Sequence, residues 1–181
     1  MMKEIIKPIL ALTVICMVVA GTTASMHYIT HPVITLANYE RARMTMAEIA
    51  PHANYFEPIK SDNLPPTVHS VFRMIDVPNA EDSLGYIFIV YSIGFGGNMR
   101  IICAIDADGK IIEVRTLQHS ETRGLGDWIE HRSFTNQFDG GDLAQIAEID
   151  SVTGATITFN AFINAVEDAF EAFAIITGGN Q

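Results

Sequence analysis

Hydrophobic and polar residues follow three different rhythms along this chain. From residue 8 to residue 39 there is no Asp, Glu, Lys or Arg, and residues 9–24 read ILALTVICMVVAGTTA. With its flanks this run reaches the ~20 residues a helix needs to cross a bilayer. Lys3 and Lys7 precede it, and the next charges, Glu40, Arg41 and Arg43, follow far behind. The positive-inside rule then predicts a cytoplasmic N-terminus and an exported remainder. Two other readings stand beside the anchor. One is a cleavable signal peptide, for which the run is long and Thr22-Thr23-Ala24 is a mediocre cleavage site. The other is a buried core helix, which the lack of a polar face argues against. Gly21, Thr22, Thr23 and Ser25 read either as a small-residue face for partner helices or as the fraying end of the span.

Past the span, residues 33–50 carry Ile34, Leu36, Met44, Met46 and Ile49 as apolar positions and stop at Pro51, which predicts a helix that continues outward as a stalk. Pro58, Pro65 and Pro66, with Ser61, Asp62 and Asn63, mark a linker. Strand-like runs follow at 68–77, 85–93, 99–106 and 110–119. Polar residues 79–83, the run Gly94-Phe95-Gly96-Gly97 and the pair Asp108-Gly109 separate them; the last is the favoured composition of a tight hairpin turn. The runs predict an antiparallel meander. Alternation of Ile111, Glu113, Arg115 and Leu117 against Ile112, Val114 and Thr116 suggests a sheet with one covered face.

The third rhythm is helical. Asp127 is placed to cap a short helix from Trp128 to Phe138, which Gly140-Gly141 ends. Near the C-terminus Phe159, Phe162, Ile163, Val166, Phe170 and Phe173 recur at helical spacing, with Asn164, Glu167, Asp168 and Glu171 mostly opposite. That stripe reads as packing against the sheet. The expected architecture is α+β: an N-terminal transmembrane helix (residues 1–30), a helical stalk and linker (31–66), and an extracytoplasmic domain (67–181) of antiparallel sheet packed with helices.

Charge and composition narrow the function. Acidic residues outnumber basic ones 21 to 11, giving a formal charge of −10. The charge argues against nucleic acid as a partner, because phosphate backbones select Lys/Arg clusters and none is present; the acidity itself reads as an ordinary surface. The two cysteines, Cys16 and Cys103, fall in different runs and predict no intrachain disulfide. No Cys/His spacing fits zinc. The six histidines are scattered. There is no GxSxG elbow and no Walker A pattern. Gly94-Phe95-Gly96 has only the first half of a dinucleotide fingerprint and lies between strands, so it reads as a hairpin, or as backbone that approaches a ligand closely.

One segment stands out chemically. Residues 150–158 read DSVTGATIT and run straight into the last helix. The first turn of a helix has backbone N–H groups without intrahelical partners, and the helix dipole favours negative charge there. Gly154 and Ala155 let an anion approach; the hydroxyls of Ser151, Thr153, Thr156 and Thr158 add donors, and one of them is itself able to carry a phosphate. Taken alone, such a turn is as readily a simple helix cap.

Thr153-Gly154-Ala155-Thr156-Ile157-Thr158 matches an SGATxT motif, and Glu121-Thr122-Arg123-Gly124-Leu125-Gly126 matches an ETPGLG loop. With these two motifs in order, the chain resembles the FMN-binding domain family. Within it the chain resembles the G-subunit family of the Rnf ion-translocating oxidoreductase complexes, and is similar to the C subunits of sodium-pumping NADH:quinone oxidoreductases. The likeness covers most of residues 85–173, the anchor matches too, and the short length favours the Rnf family. The resemblance implies covalent FMN on Thr158, a phosphoester made by a separate flavin transferase, in an electron-transfer subunit of a ferredoxin:NAD+ oxidoreductase complex. It also implies other membrane subunits as partners and an inner-membrane, single-pass location. Thr153, Gly154, Ala155 and Thr156 would hold the phosphate, and Glu121, Thr122, Gly124, Leu125 and Gly126 the ring side. Thr153 replaces the usual Ser and keeps a hydroxyl. Arg123 replaces the usual Pro and places a cation near an anionic cofactor.

Trp128 reads as a stacking partner for the ring or as packing beneath the loop. His119 reads as a ring neighbour or an ordinary strand-end histidine. Cys103 reads as a redox ligand shared with a partner chain or a small buried hydrophobe. The competing functional reading is a non-redox, membrane-anchored extracytoplasmic module that binds a phosphorylated ligand or holds subunits together.

Overall fold

The computed structural model describes residues 2–61, 63–78, 82–146, 148–149 and 152–178. The polar turn expected at 79–83 and the start of the 150–158 segment therefore lie partly outside the described residues. Residues 1–41 form one unit, and the chain from Ala42 onward forms a second.

The apolar run and the expected stalk are a single helix, α1 (Met2–Ile49), with Pro8 and Pro32 inside it. It is long and apolar enough to cross a membrane. Side chains at 6–37 are exposed on every side, which leaves the buried-core-helix reading without support. Thr22, Thr23 and Ser25 return their hydroxyl protons to helix carbonyls three or four residues back. Such back-bonding satisfies a hydroxyl where no water is at hand.

In the second unit five strands form an antiparallel sheet in sequence order: β1 (Tyr55–Ile59), β2 (Val68–Ile75), β3 (Gly85–Ile93), β4 (Asn98–Asp106) and β5 (Ile111–Gln118). The meander is as the pattern predicts, with one added strand. β1 falls in the segment that reads as linker, and Pro58 obscures it. An edge strand tolerates proline, because one side of its backbone has no ladder to complete. At the β4–β5 turn Asp106 accepts the N–H groups of Asp108 and Lys110, and Gly109 takes φ +81°.

Both faces of the sheet are covered, which corrects the one-face expectation. The last helix, α4 (Thr156–Gly178), lies on one face, where Phe162, Ala165, Val166 and Ala169 meet Val71, Phe88, Val90, Ile101 and Cys103. Ala42, Met46, Ile49, Ala50 and Ala53 cover the other face, against Met74, Ile87, Ile89, Ile102 and Ala104. The central strands explain this: Phe88, Ile89, Val90 and Ile101 to Ile105 are buried without alternation, the mark of a strand enclosed on both sides. Glu113, the buried polar exception on β5, is paired with Arg115 and Arg132.

Between β5 and α4 come a 3-10 turn (Asp127–Glu130) and two single-turn helices, α2 (Arg132–Thr135) and α3 (Leu143–Ile146). Asp127 does not cap the first of these. Gly126 occupies the capping position, and Asp127 Oδ1 instead accepts the Gly124 N–H at 2.9 Å. Phe134, Phe138 and Phe162 form an aromatic cluster with ring centroids 5.3 to 5.4 Å apart, Phe134 meeting the other two edge-on. Phe162 has no exposed surface. Phe162→Ala removes the keystone of that cluster and is expected to destabilise the full chain by about 3–5 kcal/mol, read as a lowered unfolding midpoint in detergent.

Candidate functional site

Three segments converge beside the start of α4: the β3–β4 hairpin at 94–97, the loop that follows β5, and the turn at 152–155. They enclose a cleft of about 300 Å³ walled by Phe95, Glu121, Thr122, Leu125, Gly126, Gly154, Ala155, Thr156, Ile157 and Thr158. That volume is at the lower end of small-molecule sites.

Ala155 stands at the capping position of α4, since its carbonyl accepts the Phe159 N–H at 2.9 Å. No described residue accepts the N–H groups of Thr156, Ile157 or Thr158. Gly154 reaches φ +84°, a conformation that a side chain disfavours, and a Cβ there would meet nothing within 4 Å. The turn is therefore an open seat of free donors at the positive end of a 23-residue helix. These are the conditions that suit a phosphate monoanion or diester.

Thr158 is only 1% exposed, yet it is one of the residues that line this cleft. Its hydroxyl donates to Glu121 Oε2 at 2.8 Å. Glu121 Oε1 accepts the Gly96 N–H at 3.0 Å, which ties the loop to the hairpin. The space around this carboxylate is made by glycines. A Cβ on Gly94 would collide with Glu121 Oε1, one on Gly96 with the Ser120 carbonyl, and one on Gly126 would stand 2.6 Å from Glu121 Oε2. The close approach of Gly94-Phe95-Gly96 is thus to the neighbouring loop. Its aromatic residue points outward: Phe95, Leu125 and Ile157 are 70%, 56% and 57% exposed and form an apolar lip.

Of the residues expected to form the site, Glu121, Thr122, Leu125, Gly126, Gly154, Ala155, Thr156 and Thr158 lie on one wall or another. Thr153 and Gly124 do not. Thr153 is exposed on the outside of the turn, and Gly124 takes φ +76° within the loop's own bend. Arg123 is likewise exposed and off the wall. Trp128 lies beneath the loop, its Nε1 donating to Leu125 O and its ring edge-packed on Phe134 at 4.4 Å. His119 Nδ1 accepts the Glu121 N–H, and its Nε2 faces Glu130. Cys103 has no exposed surface, and burial pushes its thiol pKa up. Among the described residues no group of three His, Cys, Asp or Glu is placed to hold a metal. Phe95 and Ile157 are wall residues that the sequence does not single out. Phe95 has a signal, an aromatic residue set between two glycines at a hairpin tip; Ile157 has none beyond its place inside the motif.

The FMN-binding domain family matches residues 94–171, the span that holds every wall of the cleft. The chain is 27% identical over 177 residues to the G subunit of the proton-translocating ferredoxin:NAD(+) oxidoreductase complex of Clostridium ljungdahlii, covering 93% of this chain and 91% of that protein. It is 30% identical over 190 residues to the G subunit of the ion-translocating oxidoreductase complex of Vibrio vulnificus, covering 94% and 90%. Among solved structures, that of Shewanella oneidensis NqrC shares the fold, with a TM-score of 0.50 and 20% identity over 72% of this chain and 71% of that one.

The glycine cage around Glu121 gives a direct test. Gly126→Ala, at a φ of −118° that alanine accepts, is expected to destabilise the chain by about 1–3 kcal/mol through overpacking alone. Combining it with Glu121→Ala should give much less than the sum of the two single effects, because the added methyl group meets Glu121 first. A double-mutant cycle of unfolding midpoints measures the coupling.

Proposed function

We propose, from the premise that this chain belongs to the G-subunit family of ion-translocating oxidoreductase complexes, that it is the complex's membrane-anchored electron-transfer flavoprotein and carries FMN as a phosphoester on Thr158. One observation supports the attachment above all. Thr158 lines a cleft whose floor is the donor-rich start of α4. A phosphate esterified there meets three backbone N–H groups that no described residue occupies. Thr156 adds a hydroxyl on the same wall. A diester keeps one negative charge, which the helix terminus favours.

The ring would lie along the lip of Phe95, Leu125 and Ile157, where apolar surface is already exposed. These side chains exclude water from one face of the ring and leave an edge open to a neighbouring redox centre. When bound, the flavin supplies one- and two-electron chemistry; the chain's part is to hold it, orient it and set its surroundings. Thr122 lines the ring side with a hydroxyl, and Glu121 anchors that wall to the hairpin. A separate flavin transferase makes the ester. Thr158 is thus an attachment point and no redox catalyst.

α1 serves as the anchor. With Lys3 and Lys7 ahead of the apolar run, its N-terminus stays in the cytoplasm and the flavin domain is exported. The run from 8 to 39 has no Asp, Glu, Lys or Arg, so the path of the pumped ion belongs to partner subunits.

Thr158→Val is expected to abolish in-gel flavin fluorescence of denatured protein from a host that contains the transferase, while Thr158→Ser retains it. Intact mass of the wild-type chain should show one FMN ester on the peptide that contains Thr158. Unmodified peptide, or fluorescence that persists in Thr158→Val, overturns the attachment and favours a non-redox binding module. For orientation, a C-terminal alkaline phosphatase fusion should be active in intact cells and a C-terminal green fluorescent protein fusion dark. The reverse result places the domain in the cytoplasm.

A further inference from the structure

Glu121 is a buried carboxylate, 8% exposed, and no Lys, Arg or His among the described residues forms an ion pair with it. Its anchoring role needs only one oxygen. Oε1 receives the Gly96 N–H and fastens the loop to the hairpin. Among the described residues Oε2 receives only the Thr158 hydroxyl, and Gly126 leaves the space for it.

The Thr158 hydroxyl also departs from the habit of this chain's helices. Thr13, Thr22, Thr23, Thr35 and Thr177 all donate to the carbonyl four residues back. Thr158 stands in the first turn of α4, where the residue four back, Gly154, lies before the helix at φ +84°, and its hydroxyl donates across 37 residues of sequence to Glu121. The two features together aim one carboxylate oxygen at the hydroxyl of Thr158, one of three threonines that line the cleft.

We infer that Glu121 is the general base by which this chain activates its own Thr158 for esterification. The inference rests on the reading of Thr158 as the flavin attachment point. An alkyl hydroxyl attacks poorly until its proton is taken, and a base must lie within hydrogen-bond reach to take it. At 2.8 Å Glu121 Oε2 meets that requirement. The flavin donor must be a phosphoanhydride, such as a flavin dinucleotide, because a simple phosphomonoester offers no adequate leaving group. Thr158 Oγ1 forms a bond to the flavin-side phosphorus as the anhydride P–O bond breaks. The departing phosphate, as a nucleoside monophosphate, keeps the electron pair of that bond. The Thr158 proton passes to Glu121 Oε2, and nothing is oxidised or reduced. The neutral acid then faces the new diester without a second negative charge and has a proton to donate to the ester oxygen. It returns that proton to solvent or to the leaving phosphate.

The test uses the full-length chain in detergent with a flavin transferase and flavin adenine dinucleotide. Initial rates of covalent flavin incorporation are measured against acceptor-chain concentration for wild type, Glu121→Gln and Glu121→Asp, with unfolding midpoints of the three unlabelled chains alongside. Glu121→Gln keeps shape and hydrogen-bonding capacity but removes the base. Its turnover should fall about 10²-fold or more, with KM for the acceptor chain changed by less than about threefold. Glu121→Asp keeps a carboxylate one methylene short and should label faster than Glu121→Gln. A merely structural role predicts the opposite order, since Gln is the closer fit, and that order overturns the inference even if one variant folds poorly. Equal turnover of wild type and Glu121→Gln, with label on Thr158, also overturns it and leaves the attachment standing. Wild type that takes no label, or takes it elsewhere, overturns the attachment itself and this role with it.

Discussion

The site exists because α4 lies tightly on the sheet. Its contact face is lined with alanines: Ala161, Ala165, Ala169 and Ala172 are all nearly or completely buried. Their small side chains let the helix backbone come close to β3, and Ser92 on β3 donates its hydroxyl to the Ala161 carbonyl at 2.8 Å. The phenylalanines on either side of that alanine row fill the flanks, and dispersion among them adds to the burial. A helix held this firmly along its length has a fixed first turn. Everything chemical about the cleft follows from where that turn is placed relative to the loop after β5.

Opposite α4, the loop is shaped by what is missing. Gly94, Gly96 and Gly126 have no Cβ where any Cβ would strike Glu121 or its neighbour Ser120. Backbone from three directions is thereby brought close to one carboxylate, which reaches the Gly96 N–H on one side and the Thr158 hydroxyl on the other. Glycine has more conformational freedom to lose than other residues, so such a cage adds to the entropic cost of folding. The Glu121 hydrogen bonds, the Trp128 Nε1 to Leu125 O bond and the Asp127 bond to Gly124 N–H offset part of that loss.

Much of this is legible in the amino-acid order. Strands β2 to β5, both tight turns and the final helix follow from apolar runs and Asp-Gly or Gly-rich punctuation, and the strands sit within about two residues of their expected limits. β1 escapes because Pro58 and its exposed side chains carry a loop's composition; only the pairing of Tyr55–Ile59 with β2 makes it a strand. The second covered face escapes because the residues that cover it, Ala42, Met46 and Ile49, belong to a helix whose apolar positions read as a stalk. At the cleft, the residue types are readable and the contacts are not. Thr158 and Glu121 stand 37 positions apart, and no local periodicity encodes which loop oxygen a helix hydroxyl will find. The alanine row is hidden for a related reason: phenylalanine announces a core face, whereas alanine announces one only once its neighbour is known.

Cys103 lies at the centre of the sheet, sealed from solvent on both sides, in a protein whose relatives belong to oxidoreductase complexes. A thiol so placed, with its ionisation suppressed by burial, is inert to oxidants and alkylating reagents while the fold is intact. It becomes reactive only when β4 leaves the sheet. The chain therefore contains its own chemical clock for the opening of the sheet.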